Sequence, residues 1–148
     1  MSVCSGFLTP SRSMTNYQIT EVQIQGGEVD GDIARVEKPW GYELHWAKTE
    51  RYVGKLIHVN AGHALSLQYH NLKDETIYLH SGRLLFEIQE GETLVKRQMH
   101  PGERVHITPK TIHRMTAIED SDIFEVSTPE LHDVVRIEDR YGREDPRK

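Results

Sequence analysis

The chain has 148 residues, 36% hydrophobic and 28% charged, with a formal net charge of −5, enough for one domain that buries roughly two-thirds of its unfolded surface. Its basic residues are scattered among acids, which leaves no footprint for a nucleic-acid backbone. No run of about 18 apolar residues is present, so neither nucleic acid nor membrane is an expected partner. Cys4 is the sole cysteine, which excludes an intrachain disulfide and a cysteine-based zinc site. Residues 1–10 lack the charged-then-apolar layout of a secretory signal, and the expected address is the cytoplasm.

Residues 1–32 are rich in Ser, Thr, Gln and Gly and carry one weak alternating stretch, 18–24. That stretch reads as an edge strand or as an arm that pairs with a second subunit, so a homodimer is expected. The expected organisation is an extension over 1–32, one domain over 33–143 and a short tail over 144–148. After Val36 the pattern changes to short runs rich in β-branched and aromatic residues, separated by turn residues. Strands are expected at 42–46, 52–60, 64–70, 75–80, 83–89, 92–99, 104–108, 113–118 and 122–127, with a helical turn near 129–132. Glu90-Gly91, set between two alternating runs, reads as a tight hairpin. Many short strands with tight turns and no sustained helical period imply an all-β sandwich or barrel.

Alternation within 64–70 puts Leu65, Leu67 and Tyr69 on one face and Ser66, Gln68 and His70 on the other. A polar face turned into a barrel needs hydrogen-bond partners or a metal. Glu75 follows across a short turn, and His113 comes from a later strand that a closed barrel can bring opposite. Gln68, His70, Glu75 and His113 are therefore the candidate metal ligands. This N/O donor set suits one divalent ion such as Zn, with Mn, Fe, Ni or Co as other occupants, and does not suit Ca.

Gly62, five residues, Gln68-Tyr69-His70, four residues, Glu75, six residues and Gly82 resemble the first motif of the cupin superfamily, and Gly102 with His113 eleven positions on resembles the second. The resemblance implies a double-stranded β-helix, or jelly-roll, barrel. Gln68 stands where cupins usually have His. In that and in flanking text the chain is similar to the second type of mannose-6-phosphate isomerase. The matching text is Pro39-Trp40-Gly41, Leu65-Ser66-Leu67-Gln68, His113-Arg114 and the run from Asp133 to Arg143 that ends in Tyr141-Gly142-Arg143. The function so implied is metal-dependent aldose–ketose isomerisation of a sugar phosphate. Two alternatives stay open: an Fe(II)-dependent small-molecule dioxygenase, and a non-enzymatic module that holds a metal and a sugar.

An isomerase of this kind needs cations for the phosphate and a group that moves a proton. Lys55 and Arg136 occupy family-like positions and are the catalytic candidates, with Lys110, Arg114 and Tyr78 as substrate-binding candidates. Proton transfer is open between a metal-bound water and a histidine such as His58 or His106. His45, His63, His80, His100 and His132 are expected in loops or on exposed strand faces, Trp40 as a core or rim anchor, and Arg140 and Arg143 on the surface.

Overall fold

A computed structural model describes residues 32–143; the 18–24 stretch and the 144–148 tail lie outside the described residues. The described strands are β1 (Ala34–Lys38), β2 (Gly41–Lys48), β3 (Val53–Val59), β4 (Leu67–His70), β5 (Glu75–Ser81), β6 (Leu84–Glu90), β7 (Thr93–Met99), β8 (Arg104–Ile107), β9 (His113–Ala117), β10 (Ser121–Ser127) and β11 (Val134–Glu138). They form two antiparallel sheets, in the orders β1-β2-β3-β10-β5-β8 and β11-β4-β9-β6-β7. This is the all-β jelly roll that the strand spacing and the motif text imply. No helix among the described residues is long and apolar enough to cross a membrane.

The strands follow from period-two burial. In β5, Glu75, Ile77 and Leu79 are buried while Tyr78 and His80 are exposed, and β10 repeats this with Ile123, Glu125 and Ser127 inside. The inner faces meet in a core of Trp40, Ile57, Val59, Ile77, Leu79, Leu84, Phe86, Met99, Ile107, Met115, Ala117 and Ile123. Two-sheet packing of this kind is how an all-β chain hides both inner faces. The β6–β7 hairpin closes on Gly91 and Glu92, with Glu90 paired to Thr93, one position later than Glu90-Gly91. Gly91 has φ +61°, which a two-residue hairpin turn requires.

Several elements differ from expectation, and β1 and β11 lie outside the expected strands altogether. The 64–70 run is strand only from Leu67, with Ala64 held to Thr116 by an isolated bridge. The 129–132 segment holds the expected single turn, closed by the Asp133 N–H on the Glu130 carbonyl at 3.4 Å, and the chain leads from it into β11. In β2 the polarity is inverted: Glu43 is buried and His45 half-buried, while Trp46 is exposed. Leu44, Leu56, Phe124 and Tyr78 are register neighbours and make an apolar row on the outer face of the six-stranded sheet.

Gly41 makes the first strand pair possible. Its φ of +149° lies in the region that favours glycine, and a Cβ there would stand 2.0 Å from the His58 carbonyl oxygen. That close approach holds Trp40, 2% exposed, against the core. Gly41→Ala is expected to cost about 3 kcal/mol or more, combining backbone strain with a backbone clash, read as a lowered urea midpoint.

Candidate metal centre and cavity

The β4–β5 loop is fixed from the C-terminal run. Asp133 Oδ2 accepts the backbone N–H groups of Leu72 at 2.6 Å and Lys73 at 2.9 Å, and the Asp74 N–H donates to Thr128 Oγ1 at 3.1 Å. Burial works against the Asp133 carboxylate, but these N–H donors hold it below the ordinary aspartate range. With the loop pinned, Lys73 folds inward to 5% exposure and the chain enters β5 with Glu75 facing the interior.

His70, Glu75 and His113 converge there, with donor atoms all within 4.8 Å of one another. Glu75 Oε1 lies 3.5 Å from His70 Nε2 and 3.1 Å from His113 Nε2. His113 Nδ1 donates to the Thr111 carbonyl oxygen at 2.9 Å, which fixes the tautomer and leaves Nε2 as the lone-pair nitrogen aimed at Glu75. Both ring nitrogens of His70 are buried without a hydrogen-bond partner, a costly arrangement in the absence of a ligand for one of them. Burial favours the neutral form of Glu75, yet the neighbouring Lys73 ammonium holds it well below the ordinary carboxylate range. An ionised carboxylate and two imidazoles with a free lone pair fit a divalent ion of the Zn, Mn, Fe, Co or Ni type.

Gln68 sits directly opposite His113 in the β4–β9 register and opposite Arg136 in the β4–β11 register. Its side-chain oxygen accepts the Ser66 hydroxyl at 2.6 Å. Arg136, Gln68 and His113 therefore line up across three neighbouring strands on one inner face.

A cavity of about 330 Å³ opens beside this group, lined on one side by Ser66, Gln68, His70 and Arg136. On the other sides stand Lys38, Glu43, His45, Lys55, Lys73, Glu125, His132 and Arg143, with Val36, Trp40, Ile57, Leu65, Leu131 and Val134 as apolar walls. The charges alternate. Lys73 donates to Glu75 and, at 2.7 Å, to Glu125; Lys55 Nζ lies 3.7 Å from Glu125 and 3.6 Å from Glu43; Glu43 also faces Lys38 at 3.6 Å. Lys55 is 8% exposed and makes no hydrogen bond among the described residues, so its three donors are available to a ligand in the cavity.

The catalytic candidates Lys55 and Arg136 line this cavity, and the substrate-binding candidates Lys110, Arg114 and Tyr78 do not. Lys110 occupies a turn at φ +67°, where its backbone N–H bonds the His70 carbonyl at 2.6 Å while its side chain is exposed. Arg114 spends its fork on Glu87 and, at 3.1 Å, on Glu138. Tyr78 is on the outer face of β5, 41% exposed. His58 and His106 also face outward, bonded to Asp122 at 2.6 Å and to Asp74 at 2.9 Å.

Several contributors depart from the expectations for their positions. His45 lines the cavity rather than an exposed face, while His132 is exposed in a turn, as expected, at the cavity's edge. Arg143 lines it too, held by Asp139 at 2.6 Å, and Tyr141 meets His63 Nδ1 at 2.9 Å, so the C-terminal run is docked on the barrel. Lys73 and Glu125 were not singled out by the sequence. For Glu125 a signal existed, because it alternates with Ile123 and Ser127; for Lys73 none did, since it lies in a polar turn.

The model of the family described as mannose-6-phosphate isomerase C-terminal matches residues 25–139, more than half of the chain. No curated protein matches. Among solved structures, KdgF from Halomonas sp. is 24% identical with a TM-score of 0.57, over 68% of this chain and 89% of that one. CapF from Staphylococcus aureus, a capsular polysaccharide assembling protein, is 16% identical with a TM-score of 0.61, over 74% of this chain and 35% of CapF. Oxalate decarboxylase from Bacillus subtilis is 14% identical with a TM-score of 0.62, over 72% of this chain and 30% of that one. At these identities the likeness is one of fold, and the chain spans about a third of the two longer proteins. The family match, the two motif spacings and the jelly-roll topology together establish that this chain is a cupin belonging to the mannose-6-phosphate isomerase C-terminal family.

Proposed function

We propose that the protein is a metal-dependent isomerase of sugar phosphates, interconverting an aldose and a ketose of the mannose 6-phosphate type. The observation that carries this reading is a single cavity that borders the His70, Glu75 and His113 cluster and is lined by Lys55, Arg136, Lys38 and Arg143. His70, Glu75 and His113, with Gln68 beside them, would hold one divalent ion, zinc first among the candidates. When bound, such an ion supplies Lewis-acid polarisation of a carbonyl oxygen. Arg136 and Lys55 bind the phosphate, the guanidinium fork suiting two phosphate oxygens and the ammonium adding charge. The apolar walls formed by Trp40, Ile57 and Leu65 exclude water around the sugar and strengthen these contacts. A sugar-related ligand agrees with the fold likeness to CapF, a capsular polysaccharide assembling protein, and a homodimer belongs to the same reading, supported by the outer apolar row of Leu44, Leu56, Phe124 and Tyr78.

The test is interconversion. Protein loaded in turn with Zn, Mn, Co or Ni is incubated with a panel of aldose and ketose phosphates and followed by NMR. Conversion of any of them supports the reading, and no conversion with any metal overturns it. Lys55→Met is expected to raise KM about 10- to 100-fold with a smaller change in kcat, the worth of one charged hydrogen bond of ~1.5–3 kcal/mol. The fold tolerates this change because Lys73 still neutralises Glu125 and Lys38 still faces Glu43.

A further inference from the structure

We infer that His45 is the residue that moves the proton between the two reacting carbons, with Glu43 as its positioning residue; this rests on the isomerase reading. The two side chains stand two residues apart on β2 and face inward together, the reverse of the apolar-in pattern that strand would otherwise follow. His45 Nε2 lies 2.8 Å from Glu43 Oε2. A carboxylate only accepts, so Nε2–H donates and Nδ1 carries the lone pair. Nδ1 has no hydrogen bond among the described residues, and His45 lines the cavity. Burial alone would raise the Glu43 carboxyl, but Lys55 and Lys38 hold it below the ordinary range, so the acceptor is ionised. A buried carboxylate that fixes the tautomer of a cavity histidine is the arrangement that general base catalysis uses.

His45 also stands opposite Lys55 in the β2–β3 register, and Lys55 stands opposite Glu125 on β10. His45 thus stands on the six-stranded sheet and faces the His70 and Gln68 wall of the five-stranded sheet across the cavity, so a carbonyl held at the metal centre is presented toward it. The outward-facing His58 and His106 cannot reach this space, and His132 has no carboxylate bonded to it among the described residues.

The step balances as follows. Neutral Nδ1 takes the proton from C2 of the aldose. The C–H electron pair becomes the C1=C2 bond, and the C1 carbonyl π pair moves onto O1. The O2 proton passes to O1, the imidazolium returns its proton to C1, and the C2 carbonyl forms. C2 is oxidised from alcohol to ketone and C1 reduced from aldehyde to alcohol within the one molecule, so no outside oxidant or reductant is needed, and His45 ends as it began.

The experiment follows isomerisation in D2O with native protein, His45→Gln and Glu43→Gln, each metal-loaded, with His45→Asn as the second variant for folding. Native protein is expected to place deuterium at C1 of the ketose. His45→Gln is expected to lose at least about 100-fold in kcat while metal binding and sugar-phosphate binding by calorimetry stay within about threefold of native. The 15N NMR signature of the His45 ring should show the Nε2–H tautomer in native protein and a mixture in Glu43→Gln. A His45 variant that turns over within threefold of native overturns the inference and leaves the isomerase reading standing. An inactive native protein overturns both. A native His45 ring in the Nδ1–H tautomer overturns the role given to Glu43.

Discussion

His113→Ala is expected to abolish tight divalent-metal binding. The imidazole is 2% exposed, its Nδ1 is committed to the Thr111 carbonyl, and its Nε2 is 3.1 Å from Glu75 Oε1. Alanine therefore removes a ligand that is already fixed in tautomer and direction, which a water entering the gap cannot replace. His70 and Glu75 remain, and with Gln68 they offer a weaker and less constrained donor set. A ligand that binds only the folded state at 100 times its Kd stabilises that state by ~2.7 kcal/mol. Native protein should thus gain several degrees in melting temperature on addition of the preferred ion, and His113→Ala should gain none. Chelation should bring native protein back to its metal-free melting temperature. The same calorimetric titration on Glu75→Gln should also show a large loss, because a neutral amide is the poorer ligand. A metal-induced shift in His113→Ala equal to that of native protein would mean that the ion sits elsewhere.

The barrel was legible because its central strands obey simple alternation. In β5 and β10 the inward positions are apolar, small or part of the site, and turn residues separate the runs. Two of the four edge strands, β1 and β11, were not legible. β1 has only Ala34 and Val36 as apolar residues among charged neighbours, and β11 puts Val134 and Arg136 on one face before a bulge shifts the register ahead of Glu138. Edge strands need little burial, so their patterns are weak. Around the metal centre, the residues at motif spacing are brought together because strands β4, β5 and β9 fix them by register. The remaining cavity residues were hidden for two reasons. Glu43 and His45 sit on the face of β2 that hydrophobic patterning assigns to solvent, while Lys73 sits in a turn whose composition reads as exposed. Their burial depends on partners from distant strands, Lys55, Glu125 and Asp133, and no local period encodes such a pairing. Lys110 and Arg114 misled for the converse reason: cationic residues near motif text were engaged in a turn and in a surface ion-pair group.

Lys73→Met is expected to be among the most destabilising single substitutions in the protein, at about 3–5 kcal/mol near neutral pH. Methionine fills much the same volume, so the loss is electrostatic: Glu75 and Glu125, 4% exposed each, lose the ammonium bonded to both. The pH dependence identifies the cause. In native protein the Lys73 pKa is raised, so its contribution is complete below the ordinary lysine value of 10.5 and fades only at strongly alkaline pH. The Glu75 pKa is depressed, so its contribution is present above the ordinary value of 4.5 and is lost as pH falls from there toward the folded value. In the variant the order reverses, because burial, the largest influence on Glu75, now acts without the Lys73 cation and raises its pKa. Lowering the pH then neutralises the stranded carboxylate in the variant while it weakens the native pair. The stability gap between the two proteins, from urea unfolding across pH 4 to 8, should therefore narrow steadily toward the acid end. A gap independent of pH would assign the loss to packing. Saturating divalent metal should narrow the gap at neutral pH as well, because an ion between His70, Glu75 and His113 returns positive charge to the same carboxylate. The lysine that neutralises Glu75 in the absence of a metal is then the residue whose removal makes the fold depend on one.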